Sequence, residues 1–296
     1  MQRGLFLFPQ EFLQGGLLMN EAIWITSSHN QKVKQLIKLR DKREREKQQQ
    51  FLIEGYREII RAYESGYPIE SLFFCKHLFL GSNEKKLIQN IGKTASLYAL
   101  QQDVFEKCSY RDRPDGLLAV APTQRKTMKE FLAAVKAKAK EKPLFLLVAE
   151  AIEKPGNLGS ILRSSDAAGV HGVLICDKQA DVFNPNVVRA SIGTLFALPW
   201  IECSLEEALA LLKEEGISLV AATPHAKALF THVNFKQPVA IAMGTEQLGL
   251  SKQVMEEAQL QVRIPMLGIA DSLNVAAATT LLLYEVIRQR QDESTF

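Results

Sequence analysis

Cysteine is scarce: the 296 residues hold four, Cys75, Cys108, Cys176 and Cys203. They stand 33, 68 and 27 residues apart, form no C-x-x-C pair and have no histidine at ligand spacing, which argues against a disulfide framework and against a metal site. Buried thiols in a reducing cytoplasm are the expected state. Long apolar runs are lacking too. Nothing approaches the ~20 residues of a membrane-spanning helix, so no membrane is expected among the partners. The apolar stretch Leu5–Phe8 is interrupted by Pro9, Gln10 and Glu11 before it reaches signal-peptide length, and no small-residue cleavage site follows. Residues 1–22 read as a loose extension, with Met19 an equally natural start. The five histidines, His29, His77, His171, His225 and His232, lack acid partners at telling spacing. They read as surface or core residues, and Trp24 and Trp200 as packing residues.

What is present is an ordinary globular composition, 47% hydrophobic and 23% charged, with an uneven distribution of charge. Residues 1–122 carry 18 basic and 14 acidic side chains, residues 123–143 carry 7 and 2, and residues 144–296 carry 11 and 17. A basic front therefore precedes an acidic rear, and the front is the part expected to meet a polyanion. Its densest patch, KVKQLIKLRDKREREK over 32–47, has eight Lys or Arg against three acids. Such a run is either a solvated helix face laced with i,i+4 pairs or a phosphate-contacting surface. On the second reading Lys32, Lys34, Lys38, Arg40, Arg43 and Arg45 contact nucleic acid.

Periodicity predicts a small α/β domain over 23–122, with strands at 51–53, 71–75, 96–99 and 117–121 and helices at 31–47, 56–64, 84–91 and 102–107. Residues 123–143 form a basic helix with Met128, Phe131, Leu132 and Val135 on one stripe, read as a helical linker or a strut packed on one domain. Residues 144–296 alternate again. Strands are expected at 144–149, 172–176, 195–198, 218–222, 239–243 and 261–264, and helices at 160–168, 185–191, 205–214, 252–258 and 273–290. Nearly continuous apolar strands between helices imply a parallel sheet covered on both faces, whose ligands sit beyond the carboxyl ends of the strands.

Three loops there carry chemistry-bearing residues. The first, EAIEKPGNLGSILRSSDAAG over 150–169, reads as a Pro155–Gly156 turn before a helix near Ser160, with Arg163 one turn inside. Its spacing matches neither the dinucleotide fingerprint nor the P-loop. Arg163 alone reads most simply as an ion-pair partner of Asp166. The second, MGTEQLGLS over 243–251, sets Glu246 between two glycines, either to meet a ligand or to cap the next helix. The third, IPMLGIADSLNV over 264–275, offers Asp271 and Ser272 as helix caps.

Together, in this order, PGNLGSILRSSDAAGV, GTEQLGLS and IPM followed by SLNVAAA closely resemble the three motifs of the SpoU (TrmH) family of RNA 2′-O-ribose methyltransferases of the SPOUT class. Upstream, ITSSHNQKVKQL, FLIEGYREI and RPDGLLAV resemble the substrate-binding domain that often precedes that catalytic domain, so the likeness spans about residues 25–290. Thr245 and Gln247 depart from the pattern, standing where Asn and Gly are frequent.

The resemblance implies a catalytic SPOUT domain with a C-terminal trefoil knot, S-adenosylmethionine as cofactor, a homodimer formed through that domain, and RNA as substrate. Large-subunit ribosomal RNA is favoured over transfer RNA. It implies cofactor contacts from Thr223, Gly244, Ile264, Met266 and Leu273. Arg163 is implied at the reacting hydroxyl, with Asn157, Glu246, Ser272 and Asn274 around it. A guanidinium is a poor base, its pKa being above ~12, so the expected role of Arg163 is to hold an RNA phosphate and orient the hydroxyl. Glu246 and Asn274 can alternatively hold the loops together. Competing readings are a non-catalytic RNA-binding or ribosome-assembly protein of the same fold, and a methyltransferase for a small molecule or a protein.

Overall fold

The structure is a computed structural model that describes residues 22–291, so all of the expected N-terminal extension but Ala22 lies outside the described residues. The chain divides into two compact units, Met1–Thr123 and Gln124–Phe296.

The first unit runs β1 (Ile23–Ile25), α1 (Gln31–Lys38), α2 (Lys42–Gln48), β2 (Gln50–Glu54), α3 (Tyr56–Glu64), β3 (Ser71–Phe74), α4 (Glu84–Ile91), β4 (Ser96–Leu100), α5 (Gln102–Cys108) and β5 (Leu117–Pro122). Its sheet has the order β1-β4-β3-β5-β2. The first three of these strands are parallel, and β5 is antiparallel to both its neighbours. Val33, Leu36, Phe73, Tyr98 and Phe105 pack on one face of it, with the rings of Phe73 and Tyr98 stacked at 4.7 Å.

The basic run is two helices, not the single helix expected over 31–47. Asp41 breaks it, because its carboxylate accepts from the Arg43 amide at 2.8 Å and so starts α2 as an N-cap. That corner internalises two of the six cations expected to meet RNA. Arg45 is 2% exposed, and its Nη1 donates to the Leu39 and Arg40 carbonyls at 3.0 and 2.7 Å. Arg40 is half-buried, and its Nη2 donates to the carbonyls of Lys107 at 2.8 Å and Ser109 at 2.6 Å. Charge-on-carbonyl bonds of this kind fasten loops; Arg45 has no surface to offer a phosphate. Lys32, Lys34, Lys38 and Arg43 are exposed.

The second unit runs α6 (Met128–Ala139), β6 (Phe145–Glu150), α7 (Pro155–Ala167), β7 (Gly172–Cys176), α8 (Pro185–Ser191), β8 (Trp200–Cys203), α9 (Leu205–Glu214), β9 (Ser218–Ala222), β10 (Ala228–Leu229), β11 (Val239–Met243), α10 (Lys252–Glu257), β12 (Leu260–Arg263) and α11 (Val275–Arg290). The expected parallel sheet is present, seven strands in the order β10-β12-β9-β11-β6-β7-β8. Helix α6 buries Phe131 and Val135 in the core of this unit.

Three local expectations need correction. Helix α7 begins at Pro155, with Pro at its first position, where a missing N–H costs nothing. Asn157 and Gly159 are therefore helical, and the absent Cβ of Gly159 serves packing: a methyl there would lie 2.6 Å from the Val187 carbonyl oxygen and from Ala190 Cβ of α8. The apolar run 195–198 is not a strand. Ile192 and Gly193 are both left-handed, a 3-10 turn follows at Thr194–Phe196, and β8 starts beyond Pro199. The cap of α11 is Asn274, whose Oδ1 accepts from the Ala276 amide at 3.0 Å, rather than Asp271 or Ser272. Among the described residues no helix is long and apolar enough to cross a membrane, and no cluster of three His, Cys, Asp or Glu side chains is placed to hold a metal.

Candidate functional site

The sheet switches direction at β6. The chain leaves β6 toward β7 and β8 on one side, then returns on the other to place β11 beside it. Loops leaving the carboxyl ends of β6, β11 and β12 therefore converge, where ligands of open α/β sheets bind.

A carboxylate joins the loops. Glu246, after β11, accepts from Asn157 Nδ2 at 2.8 Å and from Asn274 Nδ2 at 2.9 Å, and pairs closely with Lys154 Nζ. Asn274 Nδ2 also donates to Asn157 Oδ1 at 3.1 Å. The bonds from Lys154 and Asn157 hold the Glu246 carboxyl below the ordinary carboxylate range. A second tie lies beneath. Buried Glu150, 3% exposed, accepts from the Ser251 amide at 2.9 Å. Neither Lys154 nor Glu150 was singled out in the sequence; an acid ending a fully apolar strand was the signal for Glu150.

The loop 244–250 folds back on itself. Thr245 and Gly249 exchange main-chain bonds at 3.0 and 3.2 Å, and Gly249 has φ +70°. A Cβ on Gly244 would lie 2.1 Å from the Gly249 carbonyl oxygen, so the close approach requires glycine.

Beside this loop lies a cavity of about 400 Å³. Thr223, Gly244, Ile264, Met266 and Leu273, the five residues expected at a cofactor, all line it. Met243, Val262 and Leu282 give it a buried apolar floor. Glu246, Ser272 and His225 stand at its walls. The size suits a small organic cofactor. An apolar floor with polar groups at the rim suits a ligand with a flat apolar body and polar substituents.

Two expected residues make none of the hydrogen bonds around Glu246, although Ser272 lines the cavity. Ser272 donates to its neighbour Asp271 at 3.1 Å. Arg163 is exposed on α7, does not line the cavity, and makes none of the bonds in the Glu246 cluster. It precedes Ser164, whose hydroxyl meets that of Thr280 on α11 at 2.7 Å. The simple Arg163–Asp166 pair is not formed among the described residues.

Comparison with known proteins gives this arrangement a context. Residues 144–284 match the model of the SpoU rRNA Methylase family, and residues 30–119 match that of the MRM3-like substrate binding domain. The 23S rRNA (guanosine(2553)-2′-O)-methyltransferase RlmP of Bacillus subtilis is 29% identical over 262 residues, covering 88% of this chain and 98% of that protein. A crystallised RNA 2′-O ribose methyltransferase superposes with a TM-score of 0.77 at 41% identity, over 90% of this chain and 99% of the other. The SpoU methyltransferase AviRb from Streptomyces viridochromogenes, crystallised in complex with AdoMet, superposes at 0.77 with 29% identity, over 88% and 99%. Three converging loops at the switch point, a cavity lined by the expected residues and likeness along nearly the whole chain lead to one conclusion: the protein belongs to the SpoU rRNA methylase family.

Proposed function

We propose that the protein methylates a ribose 2′-hydroxyl of large-subunit ribosomal RNA in the cytoplasm, with S-adenosylmethionine as donor. The observation that carries this reading is the cavity framed by the loops after β11 and β12, locked to the start of α7 through Glu246, Asn157 and Asn274. RlmP, a 23S rRNA 2′-O-methyltransferase, matches both units, which favours ribosomal over transfer RNA.

Thr223, Gly244, Ile264, Met266 and Leu273 would hold the cofactor, which supplies an electrophilic methyl when bound. The protein's own task is positioning: the hydroxyl oxygen must approach in line, and a well-oriented pair gains several orders of magnitude in effective concentration. Glu246 is ionised and occupied by three donors, so its role is to set the shape of the pocket. Arg163 holds the phosphate next to the target ribose and orients the hydroxyl. Its distance from the cavity edge is explained by a homodimer in which Arg163 serves the partner's cavity. Exposed Leu281 and Tyr284 on α11, 44% and 49% accessible, supply an apolar face for that contact. The insertion of β11 between β9 and β6, with β12 beyond β9, suits the trefoil-knotted path of the SPOUT class.

Incubation of the full-length protein with labelled S-adenosylmethionine should place label on one ribose of an unmodified large-subunit ribosomal RNA transcript, and none on transfer RNA or protein. Arg163→Ala should reduce transfer at least 100-fold while cofactor affinity stays within a few fold. Label on transfer RNA alone, or wild-type turnover in Arg163→Ala, would overturn the substrate or the role of Arg163 respectively.

A further inference from the structure

The carboxylate that joins the loops takes its donors unevenly. Oε1 of Glu246 receives two neutral amides, Asn157 Nδ2 at 2.8 Å and Asn274 Nδ2 at 2.9 Å, and Oε2 pairs closely with the ammonium of Lys154. The same Asn274 amide also donates to Asn157 Oδ1 at 3.1 Å. Three donors therefore converge on one side chain. A proton on that carboxyl would displace one of them, so the tie between the loop after β11 and the starts of α7 and α11 needs Glu246 as an anion.

The setting otherwise disfavours that charge. Asp271 lines the cavity together with Glu246, and Glu153 lines a small recess that shares Glu246 with it. His225 is the remaining titratable group of the cavity. Among the described residues that line either space, Lys154 is the single lysine or arginine. Its main chain is fixed. Pro155 confines the residue before it to extended backbone, and Lys154 has φ −84° and ψ 121°. Its carbonyl accepts from the Asn157 and Leu158 amides at 3.0 and 3.1 Å, which anchors it at the start of α7. At the other end, Glu246 follows Thr245, whose main chain is bonded to Gly249. Both ends of the pair are thus held by backbone, and the lysine side chain, 67% accessible, spans two loops 92 residues apart in the chain.

We infer that Lys154 is a positioning residue for the proposed methyl transfer: its ammonium secures the Glu246 carboxylate as the shared acceptor of Asn157 and Asn274, and through it the shape of the cavity wall. The inference rests on the proposed function and adds to it a residue that acts through Glu246 rather than on cofactor or RNA. The bond from Lys154 is the largest cause holding the Glu246 carboxyl low, and Glu153 and Asp271 act in the opposite sense. Without the ammonium, Glu246 gains its proton at a higher pH, and the tie fails at that higher pH as acidity rises.

The test uses the full-length protein and the variants Lys154→Met, Lys154→Arg and Glu246→Gln. Magnetic resonance of isotope-labelled glutamate carboxyls follows the titration of Glu246 in the free protein, with Glu246→Gln identifying its signal. Calorimetric titration with S-adenosylmethionine reads the cavity at each pH, and far-ultraviolet dichroism shows that the chain is folded there. Lys154→Met should raise the Glu246 titration by about one pH unit, and the acid limb of cofactor affinity should move up with it. Near neutral pH the affinity should stay within a few fold, because both amide donors remain. Lys154→Arg should behave as the unaltered protein. A merely structural tether would lower affinity by the same factor at every pH. That result, or an unmoved Glu246 titration in Lys154→Met, would overturn the role of Lys154 and leave the cofactor site standing. Failure of the unaltered protein to take up S-adenosylmethionine at any pH would overturn the proposed function and this inference together.

Discussion

Asn274 does two jobs with one amide. Its oxygen caps α11 at the Ala276 amide, and its nitrogen reaches Glu246 and Asn157. Substitution can separate these jobs. Asn274→Asp keeps an acceptor for the cap but replaces the donor with a charge facing the ionised Glu246. Asn274→Ala removes both and forfeits a cap worth about 1 kcal/mol. The Asp variant should therefore melt near the wild-type temperature yet bind S-adenosylmethionine at least tenfold more weakly, because the 244–250 loop loses its tie. The Ala variant should lose both stability and affinity. Thermal melting beside calorimetric titration checks this, and equal affinity in the Asp variant would show that the tie does not shape the cavity. These residues stood out in the sequence by their motifs, but that Glu246, Asn157 and Asn274 bond to one another was not legible there, since they lie 28 to 117 residues apart.

At the scale of elements, most strands and helices were legible because the periodicity of burial is strong: β7, α8, α9, β9 and β11 fall at the expected residues. The misses share a physical origin. Apolarity reports burial, not extension, so the run at 195–198 has the pattern of a strand although left-handed Ile192 and Gly193 curl it into a turn. Charge density hid the Asp41 cap that divides the basic run into α1 and α2. In α7, glycine and proline suggested a loop, whereas Pro155 opens the helix and Gly159 lets α8 approach. That last point is testable. Gly159→Ala improves helix propensity by ~1 kcal/mol, but its methyl would meet the backbone of α8, and overpacking costs ~1–3 kcal/mol. The clash should match or outweigh the propensity gain. With the α7 start displaced, methyl transfer should fall by more than the stability change accounts for. Denaturant unfolding together with initial rates measures both, and a stabilised, fully active variant would show that α8 yields freely.

The molecule as a whole is electrically divided, with the excess of basic residues before 143 and the excess of acids after it. Phosphate is thus attracted by the front of the chain and repelled by the part that holds the cavity, which makes local cations such as Arg163 valuable beyond their number. An exposed apolar face on the same unit has no such electrostatic purpose. Ala277, Leu281 and Tyr284 recur at helical spacing along the open side of α11, and Leu267 and Ile269 are almost wholly accessible on the neighbouring loop, at 96% and 105%. Such a face is expected to be covered by a second copy. Leu281→Glu places a charge in the middle of it at a position already open to solvent in the single chain. Light scattering should show the unaltered protein as a dimer and the variant as a monomer. Far-ultraviolet dichroism should be unchanged, and methyl transfer should drop at least 100-fold if Arg163 acts across the interface. A monomeric Leu281→Glu protein with full activity would place Arg163 in its own chain's site instead, and a dimeric one would move the interface to another face.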